Sequence, residues 1–132
     1  MTELITNWAE LEAQPYGARF TVGAEATNAI ITEIQLLDRE GTPLTKSVMV
    51  PWYIAGAATG LTIGTAASGA VAIANSRGLL ISSVTKLAGY LVTNSSGRAD
   101  ISITEAGALT SHLVLVMQSG QLAISGAITH AA

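Results

Sequence analysis

From Ala18 onward the chain alternates apolar and polar residues with a period of two, in short segments separated by turn-forming clusters. That period places successive side chains on opposite faces of an extended strand, whereas an amphipathic helix needs a period near 3.6. Residues 19–22 read as a first strand. In 28–38, Ile30, Ile34 and Leu36 fall on one face, and Glu33 and Gln35 on the other. Residues 46–55 put Val48, Val50, Trp52 and Ile54 on one face. Pro51 within that segment has no N–H for a ladder, which predicts an edge strand or a bulge. Further strands are expected at 79–83 and at 86–93, where Ala88, Tyr90 and Val92 share a face.

The carboxy-terminal third is patterned most clearly. In 98–105, Ala99, Ile101 and Ile103 oppose Asp100, Ser102 and Thr104. This predicts an antiparallel strand with one wet face and a solvated Asp100. Residues 110–118 are apolar on both faces in their middle, as a central strand is. Ser119-Gly120 then makes a short connection to 121–129, with Leu122, Ile124 and Ile128 aligned. Asp38 to Gly41 and Asn94 to Gly97 carry turn chemistry. The Gly/Ala-rich middle, 56–78, is expected to hide two short strands at 61–64 and 70–74.

Eight or nine short strands with regular turns predict an all-β fold, an antiparallel β-sandwich that is Ig-like or jelly-roll-like, or a small barrel. Cys is absent, so the disulfide framework of antibody domains is missing. A length of 132 residues fits one domain, taken as 18–132, preceded by an amino-terminal arm at 1–17. Asn7 with Glu10 three residues on offers a helix start, and Pro15 and Gly17 end any helix. So short a helix needs a docking surface. Leu4, Ile5, Trp8 and Leu11 are the candidate partner contacts of the arm, on its own sandwich or on a neighbouring subunit.

Charge narrows the function classes. Only 11% of residues are charged, against about 25% in ordinary globular chains. So thin a charge layer predicts that much of the surface is covered by another subunit. The net charge of −3 argues against a nucleic-acid partner. Residues 1–40 hold seven acids against Arg19 and Arg39, while 41–132 hold four bases against Asp100 and Glu105. An acidic leading part and a basic remainder are suited to attract each other between copies. The acidic first residues do not read as a secretory signal, and Gly, Ser and Asn interrupt every apolar run before it reaches membrane-spanning length. Synthesis in the cytoplasm and no membrane partner are expected.

No motif carries catalysis. His112 has Thr110 and Val114 at strand spacing, not ligands, and is expected to be a hydrogen-bonded or rim histidine. His130 is expected to fray or to meet a subunit. No G-x-S-x-G elbow is present, and the glycines around Gly60 and Gly64 lack the GK[ST] ending of a phosphate loop. The expectation is a non-enzymatic protein with no catalytic residue, metal or cofactor. A carbohydrate-binding or adhesion module is the alternative of another class, since Trp52 and Tyr53 face opposite sides of a sheet and one is free for sugar stacking.

The stretches GRADISITEAG (97–107), HLVLVMQSGQLAISGAIT (112–129) and FTVGAEATNAIITEIQLLDREG (20–41) resemble small β-rich virion proteins of tailed bacteriophages. The resemblance covers about half the chain and does not extend to its Gly/Ala-rich middle. It implies a structural virion component without enzymatic activity, foremost a capsid decoration or cement protein that binds and stabilises the head lattice. A neck or tail structural protein is the alternative. The implied partners are the major capsid protein or another virion protein and further copies of the chain, with a trimer as one form; the implied location is the virion.

Overall fold

A computed structural model describes residues 14–131. The alternation resolves into ten strands: β1 (Gly17–Val22), β2 (Ala29–Leu37), β3 (Met49–Ala55), β4 (Val71–Ile73), β5 (Leu79–Val84), β6 (Ala88–Val92), β7 (Arg98–Thr104), β8 (Leu109–Val116), β9 (Leu122–Ile124) and β10 (Ile128–His130). Sheet one runs β1-β2-β7-β4. Sheet two runs β10-β8-β3-β6-β5, with β9 also paired to β8. Every pairing is antiparallel, and the two sheets form a sandwich.

The apolar halves of the strands meet between the sheets. Sheet one contributes Ile30, Ile34, Leu36, Ala99, Ile101 and Ile103; sheet two contributes Val50, Trp52, Ile54, Leu91, Leu113, Leu115 and Ile128. Each large side chain buried there stabilises the fold by roughly 1.5–3 kcal/mol over its exposed state. Trp52 is 1% exposed, and its indole Nε1 donates to the Ile81 carbonyl at 3.3 Å, so its polar edge is satisfied inside the core. His130 also faces inward, and its Nε2 donates to the Ile103 carbonyl at 3.0 Å, tying β10 of sheet two to β7 of sheet one.

Several expectations are corrected. Residues 61–64 form no strand; only Ile63 bridges to Ala55. The expected strand 121–129 is two strands, because Ser125 interrupts the ladder. Its Oγ accepts from Leu113 N at 2.9 Å, a backbone donor that a strand carbonyl would otherwise take. The break reverses which face is apolar. Ala123 packs on the core in β9, whereas Ile128 does so in β10, so Leu122 and Ile124 are not aligned with Ile128. β3 is central rather than an edge, flanked by β6 and β8. Pro51 is tolerated because pairing with β8 begins only at Trp52, leaving β3 a single neighbour at Pro51. His130 is not frayed but buried. The sandwich is also in place slightly before residue 18: Tyr16 N donates to Leu37 O, and β1 begins at Gly17.

Candidate interaction surface

The outward side chains of sheet two line up through the strand registers. One row is Met49 (β3), Val92 (β6) and Leu79 (β5); the next is Pro51, Tyr90 and Ile81; a third is Tyr53, Ala88 and Val84. None of these nine residues is charged. Met49, Leu79, Val84, Tyr90 and Ile81 are 44–58% exposed. Antiparallel sheets with one free face ordinarily place polar residues outward, so an apolar outer face is a candidate contact surface.

The face has a covered half and an open half. Over β8 and β9 the loop 56–64 folds back on the sheet. The Tyr53 hydroxyl donates to the Gly60 carbonyl at 2.5 Å, and Gly56 N donates to Thr62 O. Gly60 has φ +74° and lies so close to Ile124 that an added Cβ would come within 2.9 Å of its Cδ1. Only glycine permits that approach without displacing a neighbour. Gly60 thereby sits against Ile124 and Leu122, and Val114 is fully buried, while Leu61 and Ile63 of the loop are exposed to solvent. Over β3, β6 and β5 no described residue forms a roof.

β5 closes this open half with a free edge. Among the described residues it pairs only with β6, and its sequence LLISSV has no charge and no proline. Its one edge-protecting device is the irregularity between Ser82 and Val84. Its seating is tight: a Cβ on Gly89 of β6 would lie 1.8 Å from the Ile81 carbonyl. At the other margin, Gln14 and Pro15 line a groove of about 390 Å³ with Val48, Met49, Pro51, Val116 and Met117. The chain therefore enters the sandwich beside the Met49 row.

The polar groups are organised to hold structure. Asp100 is fully buried, against the expectation of a solvated residue. The turn after β4 covers it: Ala74 N donates to Asp100 O, and Asp100 N donates to Arg77 O. Asn75 and Ser76, both with φ near +55°, form the centre of that turn. Asn75 Nδ2 donates to Asp100 Oδ2 at 2.7 Å, and the Arg77 guanidinium lies 3.3 Å from the same oxygen. Glu105 accepts from Gly107 N and Ser68 N, and these backbone donors hold its carboxyl below the usual value. His112 Nδ1 bonds the Ser125 carbonyl at 3.1 Å, a hydrogen-bonded histidine as expected. Among the described residues no three His, Cys, Asp or Glu side chains gather to hold a metal ion, and no helix is long and apolar enough to cross a membrane.

Leu4, Ile5, Trp8 and Leu11 lie outside the described residues. The open face is a site the sequence reading did not single out. Its signal was present in the shared face of Ala88, Tyr90 and Val92 and in the uncharged strand at 79–83, but only the long-range pairing of β3, β6 and β5 joins them. No family model, curated protein or solved structure matches the chain.

Proposed function

We propose that the protein is a non-enzymatic structural subunit that works by being built into a larger protein assembly. The observation that carries this reading is the uncharged open face of sheet two with its edge strand β5. A free chain that exposes Leu79, Ile81, Val84, Met49 and Tyr90 together gains from burying them against a partner. An edge with unpaired backbone groups adds hydrogen bonds to that gain when another strand or loop lies against it.

The resemblance of 20–41, 97–107 and 112–129 to virion proteins of tailed bacteriophages gives the assembly its proposed identity. The chain is read as a decoration or cement protein that binds the head lattice and stabilises it by mass action, with a neck or tail position as the alternative. The partners are then the capsid or another virion protein and further copies of the chain. The carbohydrate-binding alternative loses its main support, because Trp52 is in the core and the Tyr53 hydroxyl is tied to Gly60.

The test is to add purified protein to virus particles stripped of it and to measure rebinding and resistance of the shell to heat. Saturable rebinding that Ile81→Lys abolishes is the expected result. A protein that is absent from particles, stays monomeric at high concentration and binds glycans would overturn the reading.

A further inference from the structure

We infer that a second copy of the chain takes the free edge of β5, strand to strand and antiparallel, about a twofold axis near Ile81 and Ser82. The inference rests on the assembly reading for the use of the dimer, and adds to it the occupant of that edge.

Two edges lie on one flank. β5 ends sheet two, β4 ends sheet one, and the two strands lie against each other, so the sandwich shows both open ladders on the same side. Among the described residues β4 pairs only with β7 and β5 only with β6. The opposite flank is protected. There β1 carries the exposed Arg19, and β10 is only three residues long.

Charge is nearly absent from the β4–β5 flank. Residues 47–85 hold one charged side chain, Arg77, and it is engaged with Asp100 at 3.3 Å. A charged partner finds no opposite charge here. A second copy brings the same uncharged strand and meets no repulsion.

The edge is held in place before any partner arrives. The Trp52 indole donates to the Ile81 carbonyl from inside the core. At the turn between β5 and β6, Lys86 Nζ donates to the carbonyls of Ala67 and Ser68 at 3.2 Å. A strand ordered in advance loses little freedom on pairing.

Symmetry selects the twofold. β5 against β5 uses the same surface on both copies and consumes both edges, so association closes at the dimer. β5 against β4 of another copy leaves a free edge at each end and grows without limit. With the axis normal to sheet two, the uncharged rows of both copies face the same way and form one wider platform.

The chain has no cysteine, so single introduced thiols report the seam. Residues facing each other across an antiparallel pair have Cα atoms about 4.5–5.5 Å apart, within disulfide range. Ser82→Cys and Ser83→Cys put a thiol at exposed positions of β5, and Thr21→Cys puts one at an exposed position of β1. Under mild oxidation, the better of the two β5 variants is expected to form at least about fivefold more disulfide-linked dimer than Thr21→Cys. Sedimentation of the wild-type chain is expected to give a dimer. Ser82→Lys sets like charges across the axis and is expected to weaken that dimer at least about tenfold, with its β-sheet circular dichroism retained.

Equal cross-linking of Thr21→Cys, a dimer that Ser82→Lys leaves intact, or a ladder of larger wild-type species would overturn the inference. A wild-type monomer at every concentration would overturn it too. Particle rebinding is scored separately. A dimer that leaves particles unbound removes the assembly role and keeps the β5 seam; a monomer that rebinds particles removes the seam and keeps the assembly role.

Discussion

The two outer faces of the sandwich are built from the same alternation and have opposite characters. On sheet one, the registers place Arg19, Gln35 and Arg98 in one row and Thr21, Glu33 and Asp100 in the next. Glu33 and Arg98 are 3.3 Å apart, and Asp100 is clamped by Asn75 and Arg77. On sheet two, the corresponding rows hold Met49, Val92, Leu79, Pro51, Tyr90 and Ile81, with no charge at all. The first face is finished within the chain. Among the described residues, the second is finished only over β8 and β9, where the loop 56–64 covers it. The strand period therefore decides which residues face outward, and the composition of that outward set decides whether the face is complete alone.

The contrast can be broken from either side. The largest effect is expected at Gly89→Ala. A Cβ there would meet the Ile81 carbonyl at 1.8 Å, a backbone atom that moves only if β5 moves. Overpacking of this kind costs typically 1–3 kcal/mol and here about 3 or more, read as a lower denaturation midpoint. An unchanged midpoint would mean that β5 is not seated on β6 as described.

Next is Asp100→Ala on the polar face. Removing one partner of a buried ion pair costs 3–5 kcal/mol where the other charge is stranded. The Arg77 side chain is 40% exposed and turns to water instead, so a loss of about 2 kcal/mol is expected, with association unaffected. Ile81→Lys should do the converse. Its site is exposed, so stability should stay within about 0.5 kcal/mol while association falls. If Asp100→Ala weakened association as much as Ile81→Lys, the two faces would not be functionally distinct.

The smallest effect concerns acid. The Glu105 carboxyl is held below its ordinary value of 4.5 by the Gly107 and Ser68 amides. Its contribution to stability is therefore complete above that value and lost as pH falls through the lower, folded-state value. Glu105→Gln should flatten the acid side of the midpoint-against-pH curve below about pH 4.5 and leave neutral pH little changed. An unchanged acid limb would show that these amides do not stabilise the ionised form.

Much of this fold was legible in the sequence, because a period of two survives any topology. The strands over Ala29–Leu37, Arg98–Thr104 and Leu109–Val116 were found within a residue or two, with the inward sets of the first two correct. What the pattern could not carry was coverage and pairing. Asp100 was placed on its proper face, but the turn that buries it comes from Ala74 to Arg77, two strands earlier in the chain. Pro51 spoke for an edge, yet a central strand is locally an edge wherever its neighbour starts late. The break at Ser125 is a side chain substituting for a backbone acceptor, which alternation alone does not reveal. For the candidate surface, the low charge content raised the expectation of a region covered by a partner, and the uncharged face proposed for that role is assembled only by the order β3-β6-β5.

The central claim is that the open face of sheet two, bounded by β5, is an association surface. Sedimentation velocity of the full chain and of Ile81→Lys over a hundredfold concentration range tests it most directly, with and without stripped particles. The expected result is wild-type protein that self-associates or binds particles saturably, and an Ile81→Lys chain that does neither while unfolding at the same midpoint. Wild-type protein that remains a monomer and leaves particles unbound, indistinguishable from Ile81→Lys, would contradict it.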